Sequence, residues 1–180
     1  MTILKKTKAL FLDRDGIINI DHGYVYKIED FKFVEGIFDL VQYFSDAGYL
    51  IFVVTNQSGI GRGYYSEEDF MTLSKWMIEK FDDRKITIEK VYHCPHSPDT
   101  KCHCRKPETG MIDEAVKAYD IDLSNSWMIG DKHSDIALAQ NANIGHSIYI
   151  GVEKSNEATF SFFSLEEAKS YFQENKGKIL

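Results

Sequence analysis

The sequence predicts an α/β fold, a doubly wound (Rossmann-like) parallel sheet with helices on both faces. Five short apolar runs have the character of buried parallel strands. The segments between them carry apolar residues at helical spacing, and strands that alternate with helices form parallel sheets covered on both faces. The 180 residues contain no internal repeat and no linker-like stretch, so we expect one domain over residues 1–180.

The elements follow in a regular order. The first predicted strand, Ala9–Leu12, is followed by a polar and aromatic loop at 20–34, and long loops beside strand ends are often functional. Apolar residues three to four positions apart indicate a helix at 37–47, which Gly48 ends. The other strands are predicted at 49–54, 86–92, 127–129 and 147–150. The other helices are predicted after the capping sequence at 66–69, at 112–119, from after Asp135 to about 141, and at 165–172.

Finer expectations concern one helix and the chain ends. Ile112, Ala115, Val116 and Tyr119 recur at helical spacing, so we expect all four to face the core. The polar tail after residue 172 is expected to fray. The basic segment before residue 9 lacks the apolar stretch of a signal peptide, and no apolar run approaches the ~18–20 residues of a membrane helix. We therefore expect a cytoplasmic protein with no membrane partner.

The net charge restricts the possible partners. With 21 basic and 28 acidic side chains, the formal charge is −7. A nucleic-acid surface requires a basic face, so we expect no nucleic-acid partner. An anionic substrate remains possible if cations or backbone N–H groups gather locally around it.

Polar side chains follow three of the predicted strands at the point where each strand ends. In a doubly wound sheet these ends are neighbours and form the ligand crevice. Because side chains alternate along an extended strand, Asp13 and Asp15 can face one way and Arg14 the other. The set at the three strand ends is Asp13 and Asp15, Thr55 and Asn56, and Asp131 and Asp135.

These residue types suit phosphoryl transfer to a carboxylate, which needs a nucleophile, a proton donor, a divalent cation and donors to the phosphoryl oxygens. Asp13 and Asp131 offer the carboxylate oxygens that Mg²⁺ prefers. Asp15 is suited to act as general acid and later as general base. Thr55 offers a hydroxyl donor, and Lys106 offers a fixed positive charge.

Each piece also has a simpler interpretation. Thr55 and Asn56 fit a turn after a strand, Asp131 fits a helix cap, and Lys106 alone fits an ordinary surface lysine. The order, the residue types and the strand-end placement agree, and that agreement favours catalysis. In the catalytic interpretation, Asp135 orients Lys106 or a water bound to the metal.

The three cysteines fall within eleven residues, which makes a poor disulfide framework and a better metal site. Three thiolates and one imidazole form a common closed, structural zinc set. The spacings are C-x-H and C-x-C, and the alternative is three free thiols in a polar loop. The candidate ligands are Cys94, Cys102, Cys104 and an imidazole from His96, His93 or His103.

Four motifs resemble those of the haloacid dehalogenase superfamily of phosphohydrolases. They are D-R-D-G-I-I-N at 13–19, T-N-Q-S-G at 55–59, R-K-P at 105–107 and G-D-K-H-S-D at 130–135. The resemblance implies an aspartyl-phosphate mechanism with Asp13 as nucleophile and Asp15 as acid/base. Thr55 and Lys106 would hold the phosphoryl group. Mg²⁺ would bind Asp13, Asp131 and the backbone of Asp15. No room remains for a separate cap domain, and small capless members act on small molecules or exposed phosphates.

Further motifs resemble the D-glycero-D-manno-heptose 1,7-bisphosphate 7-phosphatases, which serve bacterial lipopolysaccharide and other surface-glycan precursor synthesis. They are D-x-G-Y-V at 21–25, T-N-Q-S-G-I-x-R-G at 55–63, C-P-H at 94–96, C-x-C-R-K-P at 102–107 and G-D-K at 130–132. This resemblance implies removal of the C7 phosphate to leave heptose 1-phosphate. It supports a structural zinc ion that staples the loop before Arg105 and Lys106. The implied zinc ligands are Cys94, His96, Cys102 and Cys104.

The same resemblance implies the substrate contacts. Arg105 and Lys132 would grip the remaining sugar phosphate, and Asn56 would lie near the leaving group. Asp21 and Arg62 would complete the contacts with a small phosphorylated sugar. We also expect the 20–34 loop to close over the substrate, with Tyr24 or Tyr26 forming part of the wall. The expected oligomeric state is a monomer. The 96–102 spacer and the segment after Asp135 depart from the more usual family patterns, which weakens the substrate assignment.

Four alternatives stay open. Histidinol-phosphate phosphatases share the aspartate site and a similar zinc loop, but Arg105 and Lys132 favour a second anion. A nucleic-acid 3′-phosphatase is disfavoured by the acidic charge. A phosphate-accepting receiver domain carries its acceptor after the third strand, where this chain has His93 and Cys94. A non-catalytic, zinc-structured binding module would leave the strand-end carboxylates without a purpose.

Overall fold

The structure is a computed structural model that describes residues 6–175. Its strands are β1 (Ala9–Leu12), β2 (Leu50–Asn56), β3 (Ile88–Cys94), β4 (Trp127–Gly130), β5 (His146–Ile150) and β6 (Phe160–Phe162). Its helices are α1 (Ile37–Asp46), α2 (Ser58–Gly61), α3 (Glu67–Asp82), α4 (Gly110–Ala118), α5 (His133–Asn141) and α6 (Leu165–Glu174).

All six strands belong to one parallel sheet with the order β3-β2-β1-β4-β5-β6. The strand order reverses between β1 and β4, so the crevice at the carboxyl ends lies beside these two strands. Strand β1 pairs with β2 on one side and with β4 on the other. The predicted parallel sheet is therefore confirmed, and the three polar strand ends are neighbours.

The sheet separates two hydrophobic cores, which explains why its central strands are apolar without interruption. Leu10 and Leu12 face the core that α1, α3 and α6 cover. Phe11, between them, faces the other core, which α4 and α5 cover. Successive side chains of a strand point to opposite faces, so a strand covered on both faces must be apolar at every position.

Several element predictions differ from the structure. β6 is absent from the prediction, because three residues are too short for a recognisable period. Helix α4 buries Met111, Ile112 and Ala115, so the prediction that Val116 faces the core is wrong. Tyr119 lies just beyond α4 and packs against the ring of Phe52.

Two predictions about the chain ends lie partly outside the described residues. Helix α6 ends at Glu174, and the tail expected to fray continues into 176–180, of which nothing is described. Most of the basic N-terminal segment, residues 1–5, is likewise outside them. Among residues 6–175, no helix has the length and apolar character needed to cross a membrane.

Candidate active site

Asp13 and Lys106 form the buried centre of the site. Asp13 follows β1 directly and is 3% exposed, and its N–H donates to the carbonyl of Ile129 over 3.0 Å. The Lys106 ammonium lies 2.8 Å from Asp13 Oδ1 and 2.6 Å from Asp135 Oδ1. It also donates to the carbonyl of Val54 over 3.0 Å. One buried cation therefore faces two buried carboxylates.

Burial dominates the ionisation of these groups. It raises the pKa of Asp13 to about 7; Lys106 opposes this shift and Asp135 adds to it. Burial also raises the pKa of Asp131 to about 6. Burial disfavours the charged form of Lys106, but Asp13 and Asp135 outweigh it and hold the pKa of Lys106 above its usual value. The cluster thus carries an excess of negative charge that a cation would relieve.

The carboxylates fit a divalent cation. Asp13, Asp131 and Asp135 each offer an oxygen within 4.8 Å of the others. Asp131 Oδ1 is buried and has no hydrogen-bond partner among residues 6–175, and such an atom is costly without a cation. Gly16 has φ +96°, and a Cβ there would lie 2.1 Å from Asp131 Oδ2. Only glycine lets the chain pass this close to the carboxylate. Hard oxygen donors of this kind suit Mg²⁺.

Asp15 is held by side chains from two directions. Its Oδ1 accepts from Arg14 Nη2 over 2.8 Å and from Asn19 Nδ2 over 3.1 Å. Its Oδ2 accepts from Gln57 Nε2 over 2.9 Å. The expectation that Arg14 points away from Asp15 is wrong, because β1 ends at Leu12 and strand alternation no longer applies. The buried guanidinium of Arg14 also donates to the carbonyl of Val25 over 2.7 Å.

Gln57 and Tyr65 join the site although the sequence analysis gave them no role. Gln57 Nε2 donates to Thr55 Oγ1 over 2.8 Å, and the Tyr65 hydroxyl donates to Gln57 Oε1 over 2.5 Å. Thr55, Gln57 and Tyr65 are all buried. The T-N-Q-S-G motif contains Gln57, but no pattern in the sequence links it to Tyr65.

A cavity of about 440 Å³ opens above these residues. Asp15, Gln57, Tyr65 and Lys106 line it, and Arg105 and Lys132 add positive charge. The remaining lining residues are Asp21, Gly23, Tyr24, Asn56, Ser58 and Ser134. Most of the predicted substrate contacts are therefore brought together. Arg62 is the exception, because it lies exposed at the end of α2 and does not line the cavity.

Two of the cavity residues have partners within the protein. The Lys132 ammonium lies 3.2 Å from Asp21 Oδ2. Partial burial raises the pKa of Asp21, but the Gly23 N–H and Lys132 outweigh it and hold that pKa below its usual value. Asn56 holds the backbone of Lys106, since its Oδ1 accepts from Lys106 N over 2.9 Å and its Nδ2 donates to Lys106 O over 3.3 Å.

The cysteines and His96 form a second cluster beside the cavity. Each offers one ligand atom, and these atoms lie within 4.8 Å of one another. The Sγ atom of Cys104 is 2.8 Å from Cys94 Sγ, 3.6 Å from Cys102 Sγ and 3.2 Å from His96 Nδ1. Three thiols and an imidazole at this spacing are compatible with zinc. His93 is not in the cluster, because its ring contacts Glu67 and Phe70.

Comparison with known proteins agrees with this geometry. A family model described as HAD-hydrolase-like matches residues 103–160. A D-glycero-α-D-manno-heptose-1,7-bisphosphate 7-phosphatase of Campylobacter jejuni is 51% identical over 170 residues, which are 94% of this chain and 98% of the relative. A D-glycero-β-D-manno-heptose-1,7-bisphosphate 7-phosphatase of Haemophilus ducreyi is 44% identical over 155 residues, 82% and 85% of the two chains.

The fold is also similar to a solved structure. A D,D-heptose 1,7-bisphosphate phosphatase from B. bronchiseptica, complexed with magnesium and phosphate, superposes with a TM-score of 0.82. The match covers 94% of this chain and 99% of that one at 24% identity. The full-length relatives, the strand order and the strand-end carboxylates agree. The chain belongs to the heptose 1,7-bisphosphate 7-phosphatase family of haloacid dehalogenase-like hydrolases.

Proposed function

We propose that the protein is a Mg²⁺-dependent phosphatase that removes the C7 phosphate of D-glycero-D-manno-heptose 1,7-bisphosphate and leaves heptose 1-phosphate. The observation that carries the proposal is a cavity lined both by reactive residues and by further cations. Asp15 and Lys106 line it beside the buried carboxylates, and Arg105 and Lys132 add positive charge. A substrate with two phosphate groups matches this lining.

The proposed reaction has two steps. A carboxylate oxygen of Asp13 attacks phosphorus, the bond from phosphorus to the C7 oxygen breaks, and Asp15 gives its proton to that oxygen. Water then attacks the aspartyl phosphate, Asp15 takes up a proton from it, and phosphate leaves Asp13 free. Asp13 Oδ1 already accepts from Arg14 N and contacts Lys106. Oδ2, which receives no hydrogen bond from the described residues, is therefore the proposed nucleophilic atom.

Two metals are proposed in separate roles. Mg²⁺ held by Asp13, Asp131 and the main-chain carbonyl of Asp15 would neutralise phosphoryl charge, so that a carboxylate can approach an anion. Zn²⁺ held by Cys94, His96, Cys102 and Cys104 would be structural, because four protein ligands leave no open position.

The remaining residues bind and orient. Thr55 and Lys106 support the transferred phosphoryl group, and Arg105 and Lys132 hold the phosphate that stays on the sugar. Asp21, Tyr24 and Asn56 complete the wall of the cavity. Lys132 must exchange its contact with Asp21 for the substrate phosphate. Arg62 is retained as a substrate contact only if the α2 end moves toward the cavity.

The relatives favour one anomer. The Campylobacter jejuni relative, named for the α anomer, is 51% identical, and those named for the β anomer are 40–44% identical. We propose the α anomer as the preferred substrate. Its product would enter the synthesis of nucleotide-activated heptose for a bacterial surface glycan.

We also propose that residues 1–180 act as one domain and as a monomer in the cytoplasm. The three thiols support a reducing compartment, because clustered free cysteines oxidise readily elsewhere. Light scattering of the purified protein tests the monomer, and a dimer mass would contradict it.

The test of function is phosphate release with Mg²⁺ from both anomers of the bisphosphate and, in parallel, from histidinol phosphate. We expect kcat/KM to be highest for the α-heptose bisphosphate, and Asp13→Asn to lower it by at least ~10³-fold. Preference for histidinol phosphate would preserve the chemistry and contradict the roles of Arg105 and Lys132. Failure of every phosphate ester would contradict the enzyme proposal.

A further inference from the structure

We propose that Gln57 is a positioning residue, locked in orientation by Tyr65, that holds the Asp15 carboxyl group for proton transfer to the leaving group. The inference rests on the proposed role of Asp15 as general acid. It goes beyond that role, because it states which side chain positions Asp15. That side chain, Gln57, follows β2, and the Tyr65 hydroxyl fixes its amide.

The two carboxylate oxygens of Asp15 accept hydrogen bonds from different segments of the chain. Its Oδ1 is bonded by Arg14 and Asn19, which belong to the same turn after β1. Its Oδ2 accepts from Gln57, and no other hydrogen bond from the described residues reaches that atom. Gln57 follows β2, the strand that also carries Thr55. The amide of Gln57 is therefore the link that sets the acid relative to the phosphoryl-binding strand.

The orientation of the Gln57 amide decides whether this link exists. An amide has two donors on nitrogen and an acceptor on oxygen. Here nitrogen serves Asp15 Oδ2 and Thr55 Oγ1, and oxygen accepts from the Tyr65 hydroxyl. Rotation of the amide by half a turn would set its oxygen against a carboxylate oxygen. That contact is repulsive, and the Tyr65 hydroxyl adds to the preference for the present orientation by donating to Oε1.

The packing of the Tyr65 ring holds its hydroxyl in position for this contact. Its ring stacks on Tyr26 with centroids 5.1 Å apart and an interplanar angle of 8°. A Cβ at Gly59 would lie 2.1 Å from the Tyr65 ring, so only glycine permits this approach. Burial raises the pKa of Tyr65 to about 12, which keeps its proton in place as a donor.

The same arrangement orients Thr55. The Thr55 Oγ1 atom accepts from Gln57, so its own hydroxyl proton is free to donate elsewhere. A phosphoryl oxygen in the cavity is the acceptor that the proposed reaction brings. One amide thus positions both the proton donor for the leaving group and a hydroxyl donor for the phosphoryl group.

The experiment compares two leaving groups. The variants are Gln57→Leu, which removes both donors, and Tyr65→Phe, which removes only the hydroxyl that locks the amide. The substrates are the heptose bisphosphate, or another alkyl phosphate that wild type hydrolyses, and p-nitrophenyl phosphate, whose leaving group departs without a proton. Tyr92→Phe is the matched control, because the buried Tyr92 hydroxyl has no hydrogen-bond partner in the described chain.

We expect Gln57→Leu to lower kcat for the alkyl phosphate by about 30-fold and for p-nitrophenyl phosphate by less than about threefold, with KM nearly unchanged. Tyr65→Phe should give the same pattern at about fivefold, and Tyr92→Phe should change neither kcat. In an Asp15→Asn background, Gln57→Leu should add little, because the group it positions is gone.

Other outcomes contradict the inference. Equal losses on the two substrates would mean that Gln57 acts only through Thr55 on the phosphoryl group, or on folding, and not on the acid; a rise in KM alone would make it a substrate contact. If Asp15→Asn loses no more on the alkyl than on the aryl phosphate, the acid role fails and the inference fails with it. If Asp15→Asn behaves as an acid variant but the Gln57 and Tyr65 variants do not, only the inference is wrong. Tyr65→Phe decides the matter if Gln57→Leu does not fold.

Discussion

The two candidate metal clusters differ in what holds their ligands together. The carboxylate cluster lies at the ends of β1 and β4 and at the start of α5, elements fixed by the packed cores on both sides of the sheet. The thiol cluster is carried, apart from Cys94, by residues 95–109, which form neither helix nor strand. Side chains at strand ends are positioned by the whole fold, whereas a loop of this kind needs its own cross-link. One cluster is thus a product of the fold, and we expect the other to shape its loop locally once it holds zinc.

Lys106 connects the two regions. It comes from the loop segment, yet its ammonium group lies between Asp13 and Asp135 in the carboxylate cluster. Loss of order in the loop is therefore expected to displace the Lys106 ammonium from the carboxylate cluster. The following predictions separate the regions or test this connection.

The largest expected effect comes from Lys106→Met. It removes the cation between two buried carboxylates, so we expect kcat/KM to fall by at least ~10³-fold and the free energy of unfolding by about 3–5 kcal/mol. Steady-state kinetics and urea denaturation measure the two quantities. The control is Lys101→Met, an exposed position on the same loop. Wild-type stability for Lys106→Met would contradict the buried ion-pair network.

Loss of the cross-link should disturb the loop and spare the sheet. After zinc is verified by elemental analysis, we expect removal by a chelator, or Cys104→Ser, to lower kcat/KM by about 10- to 100-fold. Amide hydrogen exchange should accelerate at 95–109 while β1, β2 and β4 stay protected. Re-addition of zinc after chelation is the control. Full activity in protein shown to lack zinc, or accelerated exchange throughout the sheet, would overturn the comparison.

Protons should compete with Mg²⁺ at the carboxylate cluster. Because burial raises the pKa of Asp13 to about 7 and of Asp131 to about 6, both bind protons as the pH falls below these values. We expect the apparent Mg²⁺ dissociation constant, measured by calorimetry, to rise by up to about tenfold per pH unit between about pH 7 and 6, where mainly Asp13 takes up a proton, and more steeply below about pH 6, where Asp131 does so as well.

The same raised pKa values predict how the stability of the metal-free protein depends on pH. A carboxyl group whose pKa is raised on folding stabilises the protein fully below its unfolded pKa, and this contribution is lost as the pH rises through the folded pKa. Metal-free protein should therefore lose stability from about pH 4 to about pH 7, and Mg²⁺ should restore it at the upper end. A Mg²⁺ affinity that does not vary with pH would contradict this assignment.

The smallest effect is expected at the rim of the cavity. Asp21→Asn removes the partner of an exposed Lys132, and exposed ion pairs contribute little to stability. We expect an unchanged melting temperature and a two- to fivefold change, roughly, in KM for the bisphosphate, with a much smaller change for p-nitrophenyl phosphate. An equal change on both substrates would argue against a role for Lys132 at the second phosphate.

The strand ends were accessible from the sequence for a physical reason. Continuous apolar runs predict strands buried on both faces, and the carboxyl ends of parallel strands share one edge. Carboxylates placed there must lie close together. Asp13 and Asp131 could therefore be grouped although they are far apart along the chain. The grouping of the three cysteines followed from their closeness along the chain, whereas the choice of His96 over His93 and His103 came from the family resemblance.

Other parts depended on tertiary contacts that leave no pattern. Gln57 after a strand resembles any turn residue, and its link to Tyr65 exists because α2 and the turn after it bring the chain back over Gly59. The Arg14 side chain does not point away from Asp15, because β1 ends at Leu12 and the alternation of side chains along a strand stops there. Val116 was misplaced because Met111, at the start of α4, fills the buried face instead.

The two hydrogen bonds between Asn56 and the backbone of Lys106 have an evolutionary consequence. They fasten the end of the loop to β2 through main-chain atoms, whatever the length of the chain between His96 and Cys102. With His96 and Cys102 both held in the thiol cluster, a change of length between them is expected to alter the spacer and not the position of the lysine. The spacer is therefore the part of this loop in which a lineage can gain or lose residues at the smallest cost.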